Sequence, residues 1–282
     1  MASATIKLFL PHGDAKLLRT GEVSNWTGKA LAAPRTDLDQ LLAREELENS
    51  GVYFLFGADP ETGDSLAYIG EAEVIRERLK QHRAKDFWNS VVVFVSKDEN
   101  LTKAHIRYLE NRLMDEAKRI GRYRLENANV TNAKLPESDR EDMEVFLSRI
   151  QQVLPVLGSD LLTPIVESNK RASRSNMLVC KNKGAIAKGQ RTVNGFVVFA
   201  GSTAVLKERP SAETQHPFVV SLRNKLFNDG ALVEKDGFYF FAKDTEFSSP
   251  SAAAAVVHGG GANGLTAWKD ESGRILKEIE EG

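Results

Sequence analysis

GVYFLFGADPETGDSLAYIG, residues 51–70, is the stretch that decides how the chain folds. Two apolar, aromatic-rich runs, GVYFLF (51–56) and SLAYIG (65–70), flank GADPETGD, a loop dense in turn formers. That arrangement predicts two antiparallel strands around a loop. If the loop is symmetric, paired positions sum to 121, so Tyr53 faces Tyr68 and Leu55 faces Leu66. Opposed residues share a face of the sheet, which would set the two tyrosines side by side. From spacing alone, an aromatic cross-strand pair that merely supports the sheet accounts for them.

Working outward, Ile75, Leu79 and His82 have helical spacing over 71–82. VVVFV (91–95) is β-branched and apolar throughout, the pattern of a buried central strand. Ile106, Leu109, Leu113, Ala117 and Ile120 predict a helix over 102–120, capped by Thr102. The order hairpin, helix, strand, helix indicates a compact α+β unit. Upstream, TIKLFL (5–10) reads as a strand broken by Pro11-His12-Gly13-Asp14, and Thr36 as the N-cap of a helix carrying Leu38, Leu41 and Leu42. Residues 19–35 are either a groove lining or an irregular packed lead-in. Downstream, Ser138–Glu141 has the capping-box pattern, opening a helix with Met143, Phe146, Leu147, Ile150 and Leu154 on one face, ended by Pro155 and Gly158. FVVFA (196–200) and FYFFA (238–242) predict strands of a second globular segment. Ser249-Pro250 starts an Ala-rich helix that Gly259-Gly260-Gly261 stops.

The 282 residues suit one large or two ordinary domains. A hydrophobic content of 41% excludes a disordered or collagen-like chain. The single cysteine, Cys180, excludes an internal disulfide framework and a cysteine-cluster metal site. No apolar run is long enough to span a membrane, and the N-terminus has no secretory pattern, so a cytoplasmic protein is expected and the Asn-x-Thr tripeptides at Asn25, Asn100 and Asn129 imply no glycan. Near-balance of 38 basic and 39 acidic residues argues against a generally basic nucleic-acid binder. That average hides an uneven distribution. Residues 168–207 hold no acid against eight bases, among them Lys170, Arg171, Arg174, Lys181 and Lys183. They form either a solvated linker or a phosphate-facing patch.

Taken singly, the remaining polar candidates are weak. Arg78 sits at the edge of the apolar stripe of its helix, where a pair with an acid such as Glu71 explains it. Glu110 flanks Leu109, and an i,i+3 pair with Arg107 explains it equally well.

Together they form a pattern. GVY at 51–53, YIG at 68–70, the arginine of EAEVIRERLKQH and the glutamate of AHIRYLENRLM resemble the GIY-YIG nuclease superfamily over roughly residues 50–130. The resemblance implies a small three-stranded antiparallel sheet flanked by helices, with Tyr53, Tyr68, Arg78 and Glu110 as catalytic residues and Glu110 as ligand of one Mg²⁺ or Mn²⁺. The family's late asparagine falls at Asn127 or Asn129. Val52 replaces the usual isoleucine, and the gap of 14 residues between the tripeptides exceeds the usual one, implying an extended hairpin loop. His82 and His105 lie near these residues in a supporting role at most.

The implied chemistry suits these residue types. Phosphodiester hydrolysis needs an activated water and relief of charge on the phosphoryl group. Arg78 can fork onto phosphate oxygens. A tyrosine, with a reference pKa of roughly 10, needs its anion stabilised before it can act as base. FAGSTA (199–204), FSSPSAAAAVVHG (247–259) and NGLTAW (263–268) resemble an uncharacterised domain often appended to these nucleases. The SPSAAA…NG…W pattern is also similar to a small domain of restriction and methylase proteins proposed to sense DNA. A structural role for Ser249, Pro250 and Trp268 as cap, helix start and core anchor is the simpler reading. The organisation expected is a lead-in (1–48), a nuclease-like core (49–130), a linking helix and basic linker (131–175) and a smaller α+β accessory domain (176–282). The function expected is a metal-dependent endonuclease on nucleic acid, DNA before RNA. The alternatives are a non-catalytic nucleic-acid-binding module of the same fold, or a protein-interaction adaptor.

Overall fold

The computed structural model describes residues 3–127, 134–165 and 177–281, and the chain divides into two units, Met1–Thr163 and Pro164–Gly282. Both mix helices with sheet, as expected for an α+β protein. No helix among the described residues is long and apolar enough to cross a membrane.

The first unit begins with β1 (Ile6–Phe9), β2 (Arg19–Val23), β3 (Gly28–Pro34) and a short helix α1 (Leu38–Leu42). It continues with β4 (Gly51–Ala58), β5 (Ser65–Ala72), α2 (Ile75–His82), β6 (Trp88–Ser96), α3 (Lys103–Ile120), β7 (Arg124–Leu125) and α4 (Glu137–Val153). The expected three antiparallel strands are present as β6-β4-β5. They are the middle of a larger sheet, ordered β1-β2-β3-β6-β4-β5-β7 among the described residues. The expected lead-in is therefore part of the core, since β3 pairs with β6 from Gly28↔Ser96 to Pro34↔Ser90. The linking helix α4 likewise packs within this unit, so the division falls near residue 163 and not in four parts.

Both faces of the sheet are covered, which is why β4 and β6 read as continuous apolar runs. Val52, Phe54, Phe56, Val92 and Phe94 pack against α3 and α4 through Ile106, Leu109, Leu113, Phe146 and Ile150. Tyr53, Leu55, Val91, Val93 and Val95 pack on the other face against α1 and α2 through Leu38, Leu41, Ile75 and Leu79. Thr102 caps α3, its hydroxyl accepting from the His105 N–H while His105 Nδ1 accepts from the Thr102 N–H. Two expected caps are absent. A 3-10 turn at Arg35–Asp37 precedes α1, so Thr36 caps nothing. Pro136 precedes α4, and the Ser138 hydroxyl donates to Asp139 instead of closing a capping box.

The hairpin register also differs from the symmetric expectation. Tyr53 pairs with Gly70 and Leu55 with Tyr68, a shift of two residues. In this register Tyr53 lies over Gly70, where a Cβ would sit 2.4 Å from the Tyr53 hydroxyl, so the pairing needs glycine there. The six-residue loop Asp59–Asp64 adapts, held by the Asp59 carboxylate accepting from the Glu61 and Thr62 N–H groups. An even shift preserves the face, so the tyrosines remain diagonal neighbours.

The second unit carries β8 (Leu178–Asn182), β9 (Ala185–Thr192), β10 (Gly195–Val198), β11 (Thr203–Val205), α5 (Ala212–Gln215), α6 (Pro217–Asn228), β12 (Leu232–Lys235), β13 (Phe238–Phe241), β14 (Thr245–Phe247), α7 (Pro250–His258), α8 (Gly264–Ala267) and α9 (Leu276–Glu281). They form sheets ordered β14-β10-β9-β8 and β11-β13-β12, the latter a small three-stranded antiparallel sheet. The Ala-rich α7 is the core helix: Ala253, Ala254, Val256 and Val257 are buried with Phe196, Phe241 and Trp268. Ser249 caps it by accepting from the Ala252 N–H at 3.1 Å, and Trp268 Nε1 donates to the Pro250 carbonyl at 3.0 Å. The structural reading of the SPSAAA…W pattern accounts for these residues.

Candidate active site

β4, β5, α2 and α3 converge on one polar cluster. Tyr53 is fully buried and its hydroxyl lies 2.7 Å from His82 Nε2. Arg78 Nε donates to the same hydroxyl at 3.3 Å. With Arg78 donating, the phenol hydrogen is left to donate to His82 Nε2, which assigns the imidazole proton to Nδ1. Nδ1 is buried and meets no partner among the described residues. Burial, followed by the charges of Lys85 and Arg78, pushes the His82 pKa down to about 4, so the ring is neutral at physiological pH. Burial also pushes the Tyr53 phenol well above its ordinary value.

Tyr68 stacks on Tyr53 with ring centroids 6.0 Å apart, and its ring meets that of His82 at 4.9 Å. It is only half-buried, and Lys85 Nζ lies 4.1 Å from its ring centre. Arg78 also interacts with the Tyr68 phenol. Its Nη1 donates to Gln81 at 3.1 Å, so the predicted pair of Arg78 with Glu71 does not form. Glu71 pairs instead with Lys103 at 3.3 Å and Arg107 at 3.8 Å. That takes Arg107 away from Glu110, and the i,i+3 pair expected there is absent as well.

Glu110 is the unusual member. No salt bridge joins it to a described residue, and the Glu71 N–H donates to its carboxylate. Burial, with the charge of Glu71 adding to it, raises its pKa to about 7, against smaller opposing pulls from Arg78 and Lys103. Those pulls place Arg78 within electrostatic reach of Glu110. No group of three His, Cys, Asp or Glu among the described residues is arranged to hold a metal. A half-buried carboxylate beside a second one and short of a counter-charge suits a single hydrated Mg²⁺ or Mn²⁺, which keeps most of its water and takes one or two carboxylates. Glu110 would hold it, with Glu71 as the neighbouring negative charge.

Of the two candidates for the late asparagine, Asn127 lies against β5. Its Oδ1 accepts from the Ile69 N–H at 3.2 Å and its Nδ2 donates to the Ile69 carbonyl at 2.5 Å. It thus clamps β5 between Tyr68 and Gly70, continuing the short parallel pairing of β5 with β7. Asn129 lies outside the described residues, as do Lys170, Arg171 and Arg174. Lys181 and Lys183 are exposed in the second unit, on β8 and in the turn after it. Lys183-Gly184 closes the β8–β9 hairpin with φ of 46° and 87°, the left-handed pair that a two-residue turn requires. From residue 178 onward, then, the basic stretch is a hairpin and not a linker.

The cluster adds Lys85 to the residues expected and gives His82, foreseen in a supporting role at most, a direct contact with Tyr53. His82 is one helical turn beyond Arg78, so their shared face was readable from the i,i+4 spacing. Lys85 lies past the end of α2, where no periodicity points to it.

No curated protein and no solved structure matches the chain. Residues 178–280 match the family model described as a domain of unknown function, DUF4357, in agreement with the uncharacterised accessory domain that the C-terminal segment resembles.

Proposed function

We propose that the first unit is a divalent-metal-dependent endonuclease that hydrolyses phosphodiester bonds in nucleic acid, DNA in preference to RNA. The observation that carries this reading is Glu110, a half-buried carboxylate without a salt-bridge partner among the described residues, set within reach of an arginine that itself engages two tyrosines. Structural carboxylates are normally neutralised, and a strongly shifted one in a cluster of this kind marks a functional group.

The residues divide the work as follows. Arg78 has donors left after its bonds to Tyr53 and Gln81, and presents them to a phosphate oxygen. Tyr53 is sealed by His82 and Arg78, so it fixes the arginine and does not take a proton from water. Tyr68 is half-exposed, with Arg78 and Lys85 against it, so it is the better-placed base. Glu110 holds the divalent ion, which supplies charge relief on the phosphate when bound. The unit carrying Lys181 and Lys183 offers exposed bases for sequence-independent phosphate contacts.

The test is cleavage of labelled DNA and RNA, single- and double-stranded, with Mg²⁺, with Mn²⁺ and with EDTA. Metal-dependent cutting that Glu110→Ala abolishes is the expected result. Full activity of Glu110→Ala would overturn the assignment, and salt-dependent binding without cleavage would support the non-catalytic module instead.

A further inference from the structure

A second polar site lies at the strand ends of the same sheet. A cavity of about 500 Å³ opens between the loop after β1, the ends of β3, β5 and β6, and the turn after α4. Its wall takes Phe56 and Val92 from the face that packs on α3 and α4 and Ala33 and Val91 from the face that carries Tyr53, and Tyr53, Tyr68, Arg78 and Glu110 are not among its lining. Its lining contains Lys16 and Arg19 and no aspartate or glutamate.

Arg19 is an unusual cation. Its Nη1 donates to the Ala15 carbonyl at 3.0 Å and to the Leu17 carbonyl at 3.5 Å, and its Nη2 donates to the Leu157 carbonyl at 2.6 Å. No described carboxylate pairs with it, and burial pushes its pKa down. A guanidinium carries five N–H donors, so Nε and one Nη2 hydrogen remain in a fork held rigid by three carbonyls. Lys16 makes no ion pair with a described residue either. The side chains of Ser65, Asn89 and Ser90, which also line the cavity, make no hydrogen bond to a described residue. Tyr123 closes one wall, its ring 5.8 Å from that of Phe56. Its hydroxyl donates to Asp160, whose carboxylate is itself paired with Arg122 at 3.4 Å.

Two cations without counter-charge, three idle neutral hydrogen-bonding groups and an aromatic wall, in a space of small-molecule size, together define a ligand class. We propose that this cavity binds one nucleotide, its phosphate held by Lys16 and Arg19, its sugar and base facing Ser65, Asn89 and Tyr123. The same chemistry is presented by a free nucleoside monophosphate and by the phosphorylated end of a strand. The site uses none of the residues assigned to hydrolysis, so it stands whether or not the first unit cuts nucleic acid.

The experiment is calorimetric titration of the full chain in EDTA with dAMP, adenosine and inorganic phosphate, and with a short oligonucleotide bearing either a 5′-phosphate or a 5′-hydroxyl. The expected result is binding of dAMP or of the phosphorylated oligonucleotide, with adenosine and the 5′-hydroxyl strand weaker by about tenfold or more. Preference for dAMP assigns the free nucleotide, and binding of the phosphorylated strand alone assigns the strand end. Because Arg19 ties β2 to the turn after α4, the variants are Lys16→Gln and Asn89→Asp, both at exposed positions, with circular dichroism to confirm the fold. Each should weaken binding by about tenfold, the first by removing a cation that holds the phosphate and the second by adding a negative charge to a cavity that takes an anion. Equal binding of adenosine and dAMP, no binding of any phosphorylated probe, or unchanged affinity in both variants would overturn the proposal.

Discussion

Glu110 on α3 and Glu144 on α4 are two glutamates of one unit with opposite treatment. Glu144 receives Arg112 Nε at 2.6 Å, Arg112 Nη2 at 3.0 Å and the Tyr108 hydroxyl at 2.7 Å. The arginine fork comes first among the causes that hold its pKa below the ordinary carboxylate range. Glu110, on the same helix as Arg112, has no such partner and is pushed to about 7. The contrast shows that the fold satisfies a carboxylate where the carboxylate serves to join helices. At Glu110 it leaves a carboxylate with no salt-bridge partner among the described residues, which suits the metal-holding role proposed for it.

The arginines of the two regions should differ widely in their effect on rate. Arg78→Ala should lower cleavage by roughly a hundredfold or more, in line with removal of a group that stabilises transition-state charge. Arg112→Ala should leave the rate alone and lower unfolding stability by about 1 kcal/mol, since the pair it breaks is bidentate but a third exposed on each side. A large rate loss in Arg112→Ala would erase the distinction between the regions.

Proton linkage gives a second, smaller contrast with opposite signs. The raised pKa of Glu110 means that the metal-free folded state binds its proton more tightly than the unfolded chain does. Its contribution is therefore complete below the unfolded carboxyl pKa and is lost as pH rises from there to about 7. After discounting for partial exposure, the loss is on the order of 1 kcal/mol, and Glu110→Gln should remove it from the denaturation profile. Glu144, with a lowered pKa, contributes stability at neutral pH that disappears as the solution is acidified. Denaturant midpoints from about pH 3 to pH 8 in EDTA, for wild type and the two Glu→Gln variants, measure both slopes. Identical slopes in the two variants would contradict the contrast. Because a metal ligand must be deprotonated, Mn²⁺ affinity should also rise toward pH 7 and level off above it, as titrations at stepped pH would show.

The smallest effect concerns Lys85. Lys85→Ala removes a cation from the Tyr68 ring, an interaction of roughly 0.5–1 kcal/mol at an exposed site, and should slow cleavage only a few-fold. Steady-state rates against a Lys80→Ala control, whose partner is the exposed Glu77, would detect it.

The strands and helices that were legible in the sequence are those whose burial leaves a pattern. GVYFLF and VVVFV are apolar throughout because both faces of β4 and β6 are covered, and α3 shows its stripe because one face is wet. β2 and β3 were not legible, since RTGEV and GKALAAP hide a buried strand behind alanine and glycine, which carry little β signal. The register of the hairpin was out of reach for another reason: it sets Tyr53 over Gly70, a tertiary fit that no spacing rule contains. For the candidate site, the four motif positions were readable as a pattern, whereas their partners were not. That Glu71 draws Lys103 and Arg107 away from Glu110 is a property of the tertiary arrangement of β5 on α3. The Lys16–Arg19 cavity depends in the same way on chain segments that are remote in sequence.

The most direct measurement is single-turnover cleavage of a labelled DNA duplex in Mn²⁺ by wild type, Glu110→Gln and Glu144→Gln side by side. Cutting by wild type and Glu144→Gln at comparable rates, with Glu110→Gln slower by roughly a thousandfold, is the predicted result. Equal rates for the two glutamine variants, or no metal-dependent cutting by the wild-type chain, would contradict the assignment of Glu110 as the metal-holding residue of a nuclease.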